Sequence, residues 1–398
     1  MPITKIPLKT PHLSLYVEDG EGIVFHSINH SLYHLPTLSI AMLFSIDDGD
    51  SQQSTLNNIA KECQLPRAYL DPIYHEIQNL FVEQQNQTTY LDGRYPEFEV
   101  SAKQLTSINN THVAYFQVAD TIFSIDTKDE TLFTAIMKLL EPQRCISEKA
   151  DFVLSIAKSE STYQLFSNGL VVEKDLGFKH VMPVIIDRIQ ILSFQKSDYT
   201  FCFHGAAVKM PQGTLLIPGK SGSGKSTLSA VLVNDKGSLF SDEIIAFNKD
   251  FELCILSLPI AVKSGSWKSL DIHYPNLNQL PTWHRLDGRR LKYVWPTTLY
   301  PEKITNQEEP TQFLLINPKF FAQSNNSIEI AGQTGAKHLN VIDTISMLTE
   351  SGYQLGFELT ETRLQEFLNF ISAIPCYQLS YSSSQQALDK LDDLWQQR

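Results

Sequence analysis

The sequence predicts an α/β protein that begins with a smaller α+β domain. Short apolar runs at residues 13–17, 22–25 and 31–35 predict a β-meander, and three helical segments follow within the next 50 residues. Farther along, a glycine-rich loop lies between an apolar strand at residues 214–218 and a helical segment at 226–233. A chain of 398 residues has room for two or three such domains.

Composition and charge narrow the possible partners and environment. The net charge is −12, and the sequence contains no dense block of lysine or arginine. We therefore expect neither nucleic acid nor an anionic membrane as partner. The cysteines form no metal-binding or disulfide spacing and are expected to be buried in a reducing compartment: Cys63, Cys145, Cys202, Cys254 and Cys376. With no apolar signal segment near the start, the prediction is a cytoplasmic protein.

The first domain is predicted over residues 1–95. Its helices are expected at residues 36–46, around 55–63, and from Asp71 as N-cap with Pro72 at the first helical position. Residues 96–200 are predicted as a linker and an α+β segment that flanks the core, with a helix at residues 130–140. They carry no catalytic pattern, and the sequence leaves open whether they decorate the core or form a wall of its cleft.

The glycine-rich loop is the strongest chemical signal in the chain. Residues 219–226 read Gly-Lys-Ser-Gly-Ser-Gly-Lys-Ser, the G-x-x-x-x-G-K-[ST] pattern whose backbone amides cradle phosphates. Lys225 is predicted to contact the β- and γ-phosphates, and the Ser226 hydroxyl to bind Mg²⁺. The predicted nucleotide-binding residues are Gly219, Ser221, Gly222, Ser223, Gly224, Lys225, Ser226 and Thr227. ATP and Mg²⁺ are therefore the expected cofactors.

Three more polar residues lie near this loop in sequence. His204 interrupts an apolar strand at residues 201–208, where a structural histidine is the alternative to a catalytic one. Asp242 and Glu243 end a short strand that follows the loop helix. Adjacent carboxylates at that position suit Mg²⁺ binding and general-base catalysis. A cation could also stabilise a phosphate in transfer, and the sequence does not choose among Lys263, Arg285, Arg289, Arg290 and Lys292.

The motifs His-Gly-Ala-Ala-Val at 204–208, Gly-Lys-Ser-Gly-Ser-Gly-Lys-Ser-Thr-Leu at 219–228 and Leu-Phe-Ser-Asp-Glu at 239–243 resemble HPr kinase/phosphorylase and its relatives. These are P-loop kinases of protein or peptide hydroxyls whose core is similar to phosphoenolpyruvate carboxykinase. The resemblance covers roughly residues 110–398. It implies that His204 lies beside the phosphates, that Asp242 is the catalytic base, and that Glu243 helps to hold the metal.

Two differences separate the chain from the HPr enzymes themselves. Glu243 stands where those enzymes have a second Asp, and the loop ends Lys-Ser-Thr instead of Lys-Ser-Glu. The arginine-containing C-terminal segment used for dephosphorylation has no clear counterpart. The resemblance therefore implies the kinase reaction and leaves the phosphorylase activity and HPr as substrate unsupported. Because the related enzymes form oligomers, a homo-oligomer is an expectation that rests on the resemblance alone.

The N-terminal domain resembles PqqD-type peptide-binding domains, which are similar to winged helices. The resemblance lies in Leu-Tyr-His-Leu-Pro at 32–36, Ala-Met-Leu-Phe at 41–44, Asp-Asp-Gly-Asp at 47–50, Leu-Asn-Asn-Ile-Ala at 56–60 and Ile-Gln-Asn-Leu at 77–80. Such domains bind the leader of a ribosomally made precursor peptide by adding it to a strand edge.

Together these features predict an HPr kinase-like catalytic domain over residues 201–398. The expected function is ATP-dependent phosphorylation of a Ser or Thr hydroxyl on a peptide or small protein, in particular a ribosomally made precursor peptide captured through its leader. Two alternatives remain open. One is a kinase of a small molecule such as free serine, and the other is a non-catalytic protein that uses ATP as a switch.

Overall fold

The structure, a computed structural model, describes residues 3–29, 31–82, 96–98, 111–196, 199–219, 222–295, 312–321, 335–351, 353–355 and 360–397. It is a mixed α/β protein, as the sequence predicts. The chain divides into a first unit, formed by Met1–Tyr90, His338–Thr349 and Phe357–Cys376, and a second unit, formed by Leu91–Lys337, Glu350–Gly356 and Tyr377–Arg398.

The strands are β1 (Thr4–Ile6), β2 (Leu13–Glu18), β3 (Glu21–His26), β4 (Ser31–Leu35), β5 (His112–Val118), β6 (Thr121–Thr127), β7 (Arg144–Cys145), β8 (Phe152–Ser159), β9 (Thr162–Ser167), β10 (Leu170–Leu176), β11 (Tyr199–Met210), β12 (Gly213–Pro218), β13 (Ser238–Ser241), β14 (Ile244–Asn248), β15 (Leu253–Cys254), β16 (Ile260–Lys263), β17 (Trp283–His284), β18 (Arg290–Val294), β19 (Phe313–Phe320), β20 (Gly335–Leu339), β21 (Tyr353–Leu355) and β22 (Cys376–Tyr381). The helices are α1 (Thr37–Asp47), α2 (Gln52–Cys63), α3 (Arg67–Asn79), α4 (Glu130–Leu140), α5 (Phe178–Lys196), α6 (Lys225–Asp235), α7 (Trp267–Leu270), α8 (Val341–Glu350), α9 (Glu361–Ser372) and α10 (Ser384–Gln396).

The first unit begins with an antiparallel sheet in the order β1-β2-β3-β4, followed by α1, α2 and α3. Alternating residues of β2, such as Leu13 and Leu15, are buried with apolar residues from all three helices. The β-meander and the three helices predicted from the sequence are therefore confirmed. Among the described strands, β4 pairs only with β3, so its other edge lies outside the ladder.

The start of α3 differs from the prediction. The helix begins at Arg67 with Pro66 as its N-cap, one turn before the predicted Asp71, and Pro72 lies inside it. A proline in a helix interior removes one backbone hydrogen bond. The earlier start brings Leu70 onto the helix, where it is fully buried in the core, and we attribute the extra turn to this burial.

Two helices from the C-terminal half of the chain belong to the first unit. The buried Glu18 carboxylate accepts hydrogen bonds from the backbone N–H groups of Val341 (2.7 Å) and Ile342 (3.2 Å), at the start of α8. At the start of α9, Glu361 bonds to Lys5 and to the Ser14 hydroxyl. These contacts explain why the unit extends beyond the predicted range of 1–95 and takes 338–349 and 357–376 from the predicted range of 201–398.

In the second unit, residues predicted as a flanking segment form a sheet in the order β10-β9-β8-β6-β5-β7. The helix predicted at residues 130–140 is confirmed as α4, and Asp129 caps it by accepting from the Leu132 N–H at 2.9 Å. Apolar residues of this sheet, of α4 and of α5 share one buried cluster with Cys202 and Trp283. The segment and the core are thus one unit of the chain.

The long strand β11 is the centre of the largest sheet, whose order is β15-β14-β11-β12-β19-β22-β20. Its second half pairs with β12 and also with β13, whereas its first half pairs with β14 and β21. The strand β19 runs parallel to β12. A separate sheet has the order β16-β18-β17.

Two other expectations concern the cysteines and membranes. None of the five cysteines, all within the described residues, forms a disulfide. Cys63 is exposed and only Cys202 and Cys376 are buried, so the expectation that all are buried is wrong. Cys63 lies at the last position of α2, where the helix leaves the core. None of the helices in the described ranges has the length and apolar character needed to cross a bilayer.

We predict that Glu18→Ala weakens the attachment of α8 within the first unit. The substitution leaves two helix N–H groups without their carboxylate and removes a negative charge from a helix N-terminus, at a cost of about 1 kcal/mol or more. Amide hydrogen exchange in α8 should become faster and the unfolding temperature should fall. Glu21→Ala, at a partly exposed position beside His34, is the matched control. Unchanged exchange in α8 would contradict this account.

Candidate functional site

The glycine-rich loop connects β12 to α6, as the sequence predicts. Gly219, Gly222 and Gly224 have φ values of +150°, +91° and +95°, and at the last two the left-handed backbone explains the residue type. Gly224 is the N-cap of α6, so the helix begins at Lys225. The predicted binding residue Ser221 lies outside the described residues, as does Lys220.

The neighbouring strand β11 passes very close to the start of this loop. Gly205 pairs with Pro218, and the Gly219 N–H donates to the carbonyl of His204 at 3.3 Å. A Cβ atom on Gly205 would lie 2.7 Å from Ile245 Cδ1 and 2.8 Å from the Ile217 carbonyl oxygen. Because real Cβ atoms do not approach so closely, only glycine fits here. The His-Gly dipeptide therefore places the imidazole beside the loop.

Asp242 and Glu243 form a kink between two strands that share one partner. The strand β13 pairs with Ala207 and the residues after it, and β14 pairs with His204 and the residues before it. The sequence predicts a strand that ends in two acids. Instead the chain continues as β14, which pairs with the same strand, β11. The acids therefore interrupt one ladder in its middle. An interruption of this kind, a β-bulge, often directs side chains into a site.

The kink is held in a strained conformation. Glu243 has φ +85°, which is uncommon for a residue with a side chain. Its carbonyl oxygen accepts from the Gly205 N–H at 3.1 Å and lies 2.9 Å from Nδ1 of His204. A carbonyl oxygen only accepts, so Nδ1 carries the proton of the neutral ring and Nε2 is left as its acceptor. The same contacts fix the histidine and the two acids together.

Asp242 is buried at the centre of the site, with 6% of its surface exposed. Burial, reinforced by the charge of Glu243, raises the pKa of its carboxyl from 3.8 to about 7, although Lys225 and a hydrogen bond from Ser226 act in the opposite direction. Ser229 lies 3.5 Å away from Oδ1. A carboxyl with a pKa near neutrality can accept and release a proton under physiological conditions.

Lys225 and His204 both have lowered pKa values. Burial lowers the pKa of Lys225 below 10.5 while the carboxylates of Glu243 and Asp242 raise it, and its amine donates to the Gly219 carbonyl at 2.6 Å. For His204, burial and then the charge of Lys225 lower the pKa below 6.5, against the effect of Glu243. The imidazole is therefore mostly neutral at neutral pH.

Among the candidate cations, Lys263 belongs to this site. It ends β16, and its positive charge lowers the pKa values of Asp242, His204 and Lys225 alike. The turn that follows it is fixed to the loop helix, because the hydroxyl oxygens of Ser266 and Thr227 lie 2.6 Å apart. Thr227, predicted to bind nucleotide, thus has a structural contact as well.

The other four cations contact other residues of the second unit, and the pKa of Arg289 is raised first by Asp287 and to a smaller extent by Glu243. Arg285 lies 3.5 Å from Asp187, Arg289 bonds to Asp287, Arg290 lies 5.8 Å from the Trp267 ring centroid, and Lys292 donates to the carbonyls of Leu277 (2.7 Å) and Asn278 (3.1 Å). The buried Lys292 stabilises the fold around α7. The charges of Arg285 and Arg289 do act on Asp187, whose pKa burial raises.

The helix α5 contributes to the site in a way that the sequence did not indicate. Gln190 donates to the backbone carbonyl of Asp242 at 3.3 Å. One turn earlier on the same helix is Asp187, whose pKa is raised by burial and to a smaller extent by the charge of Glu243. No motif marks either residue, since helix α5 reads as an ordinary apolar segment. The last helix of residues 96–200 is therefore in direct contact with the strand kink that carries the two acids.

The residues present suit a phosphate–Mg²⁺ group by their donor chemistry. The side-chain oxygens of Ser226, Asp242 and Glu243 are hard ligands of the kind that Mg²⁺ prefers. Within the described residues, Ser223 Oγ and Asp242 Oδ2 are buried with no hydrogen-bond partner. Buried polar atoms that lack a partner need an explanation, and beside a phosphate-binding loop we expect them to face a ligand. No cluster of three His, Cys, Asp or Glu side chains suited to a metal occurs in the described ranges, and Mg²⁺ with substrate phosphates does not require one.

The structure therefore brings most of the predicted site residues together. His204, Lys225, Ser226, Asp242 and Glu243 meet where β12 ends, beside Gly219, Gly222, Ser223 and Gly224 of the loop. No family model matches the chain, and no curated protein sequence matches it. The resemblances to HPr kinase and to PqqD-type domains stay predictions.

We predict that Asp242→Asn makes the protein more stable at high pH. The raised pKa means that Asp242 favours folding below about pH 3.8 and loses this contribution as the pH rises through about 7. An amide carries no such cost, so the advantage of the variant in free energy of unfolding should grow by up to about 1.4 kcal/mol per pH unit over that interval. Chemical denaturation at several pH values measures it.

Asp235→Asn is the control for this experiment, because Asp235 is exposed at the end of α6. Its difference from the native protein should not vary over the same pH range. If the Asp242→Asn difference were also constant with pH, the carboxyl would not be buried in the way described.

Proposed function

We propose that this protein is an ATP- and Mg²⁺-dependent kinase that phosphorylates a Ser or Thr hydroxyl on a peptide or small protein. The observation that supports this best is the position of Asp242. A buried carboxyl with a pKa of about 7 lies beside the loop lysine Lys225 and the loop serine Ser226. A general base matched to neutral pH, next to a phosphate-binding loop, is the arrangement that phosphoryl transfer to a hydroxyl needs.

Each residue has a role that follows from its surroundings. Asp242 accepts the proton of the acceptor hydroxyl through its buried carboxylate. Lys225 is held against the loop and would neutralise the phosphates that lie on it. His204, neutral and oriented by the Glu243 carbonyl, offers Nε2 as an acceptor and can take up a proton when negative charge arrives. Binding of a polyanion should raise the pKa values of both His204 and Lys225.

Ser226 and Glu243 are the residues that would hold the metal. When bound, Mg²⁺ supplies positive charge that screens the phosphates and orients them for in-line attack. Glu243 lies at the kink between β13 and β14 with φ +85°, and its carboxylate Oε2 is 3.3 Å from Nδ1 of His204, beside the loop. The cost of that conformation is offset by the two hydrogen bonds to its carbonyl.

The proposed acceptor is a ribosomally made precursor peptide whose leader binds the first unit. Among the described strands β4 has no ladder partner on its outer edge, and strand addition requires such an unpaired edge. Holding the leader raises the local concentration of the acceptor residue, so the catalytic site itself can bind it weakly. Free serine as acceptor, and ATP as a switch without transfer, are the competing functions.

The central prediction is phosphate transfer that depends on Asp242. Native protein with Mg²⁺ and ATP should add one phosphate to a peptide encoded by a short reading frame next to its gene, as measured by mass spectrometry. Asp242→Asn should lower kcat by roughly 10²- to 10⁴-fold, because the general base is lost. With native protein, kcat/KM should rise with pH through about 7 and then level off.

Asp235→Asn serves as the control and should leave kcat unchanged. The leader is tested by removing it from the peptide, since deleting residues 1–95 would also remove the partners of α8 and α9. Loss of kcat/KM for the core peptide alone supports leader capture. Transfer to free serine in place of any peptide would support the small-molecule kinase, and tight ATP binding without any transfer would support the switch.

We also predict that Lys263 stabilises the phosphate in transfer. Lys263→Met should lower kcat by roughly 10²- to 10³-fold, as expected when one charge at a transferred group is removed. Lys268→Met changes the net charge equally at an exposed position five residues farther along and should have little effect. Equal losses in both variants would show that the overall charge matters and that Lys263 has no specific role.

A further inference from the structure

An exposed aromatic side chain lies next to the glycine-rich loop on the side opposite the acids. Phe320, the last residue of β19, has 53% of its surface exposed. A Cβ atom on Gly224 would lie 3.9 Å from Phe320 Cβ and 3.4 Å from the hydroxyl of Tyr381. Both aromatic residues therefore adjoin Gly224, the N-cap of the loop helix, and neither has a role in the proposed phosphate transfer.

The two rings form a pair with one buried and one exposed member. Their centroids are 5.8 Å apart at an interplanar angle of 62°. Tyr381 is buried, so its ring is held by the core against Phe320, and burial raises the pKa of its hydroxyl to about 12. The backbone is fixed too, because the Phe321 N–H donates to the Tyr381 carbonyl at 2.9 Å. The exposed ring is thus held in place instead of hanging from a loop.

Strand order decides which end of a bound nucleotide would reach this pair. The strands β13, β12 and β19 all run in the same direction, with β11 antiparallel between the first two. Asp242 and Glu243 follow β13 on one side of the loop strand, and Phe320 ends β19 on its other side. A triphosphate whose terminal phosphate faces Asp242 must place its nucleoside toward β19 or away from the sheet.

We propose that Phe320, supported by Tyr381, is the stacking surface for the base of the bound nucleoside triphosphate. This inference rests on the proposed function, because it takes the terminal phosphate to lie at Asp242. Aromatic rings stack on purine and pyrimidine bases through their faces, and an exposed, fixed ring gives such a contact at little entropic cost. Since every base has a π-face, stacking alone favours a nucleoside triphosphate over inorganic triphosphate without selecting adenine over guanine.

The test compares binding of ATP with binding of inorganic tripolyphosphate, which has the phosphates but no base. Isothermal titration calorimetry is done with Mg²⁺ on the native protein, Phe320→Ala and Phe320→Trp. We expect Phe320→Ala to weaken ATP binding by roughly 5- to 100-fold, and GTP binding similarly, with less than about a twofold change for tripolyphosphate. Phe320→Trp keeps an aromatic ring at this position and should bind ATP about as tightly as the native protein does. Tyr69→Ala, at another exposed aromatic residue, is the control and should change neither affinity.

The outcomes separate this inference from the proposed function. If the native protein binds neither compound, the proposed function fails and this inference fails with it. If native protein binds both but Phe320→Ala leaves ATP binding unchanged, only the stacking surface is excluded. An equal loss for ATP and tripolyphosphate would show that Phe320 acts through the shape of the loop, and would also overturn the inference.

Discussion

The close approach of β11 to the glycine-rich loop is the constraint on which the site depends. Gly205 permits it, since any side chain there would collide with Ile245 and with the backbone of β12. Because of this approach, the backbone carbonyl of His204 accepts a hydrogen bond from Gly219 of the loop. The imidazole of His204 contacts the carbonyl of Glu243. Loop, histidine and acids are thereby fixed by one strand, so that their relative positions do not depend on flexible side chains.

Burial of Asp242 among these groups has opposite consequences for stability and for chemistry. Removing a carboxylate from water disfavours its charged form, so ionisation of Asp242 costs the folded protein free energy. The same environment gives the carboxyl a pKa at which it can act as a base near neutral pH. Lys225, Ser226 and Lys263 partly offset this rise in pKa. They therefore reduce the free energy that the folded protein loses when Asp242 ionises.

Much of the local structure could be predicted because it depends on neighbouring residues. Helix α4 has the predicted bounds, since Asp129 caps it and its apolar residues recur at helical spacing. The start of α3 could not be predicted from Asp71 and Pro72, because burial of Leu70 in the core outweighs the local preference of a proline for the first turn. Likewise, the sequence alone did not predict that a second strand follows Glu243 at once, because that strand, β14, forms by pairing with β11 beside β13.

The sequence by itself determined the glycine-rich loop, the pairing of that loop with a strand and a helix, and the acids and histidine that accompany it. These follow from short-range patterns in which residue type and spacing carry the chemistry. Only the tertiary structure decided which cation joins the site, that helix α5 lines the acids, and that α8 and α9 belong to the first unit. Those facts depend on contacts between residues that lie far apart along the chain, and no local pattern records which distant surfaces will meet.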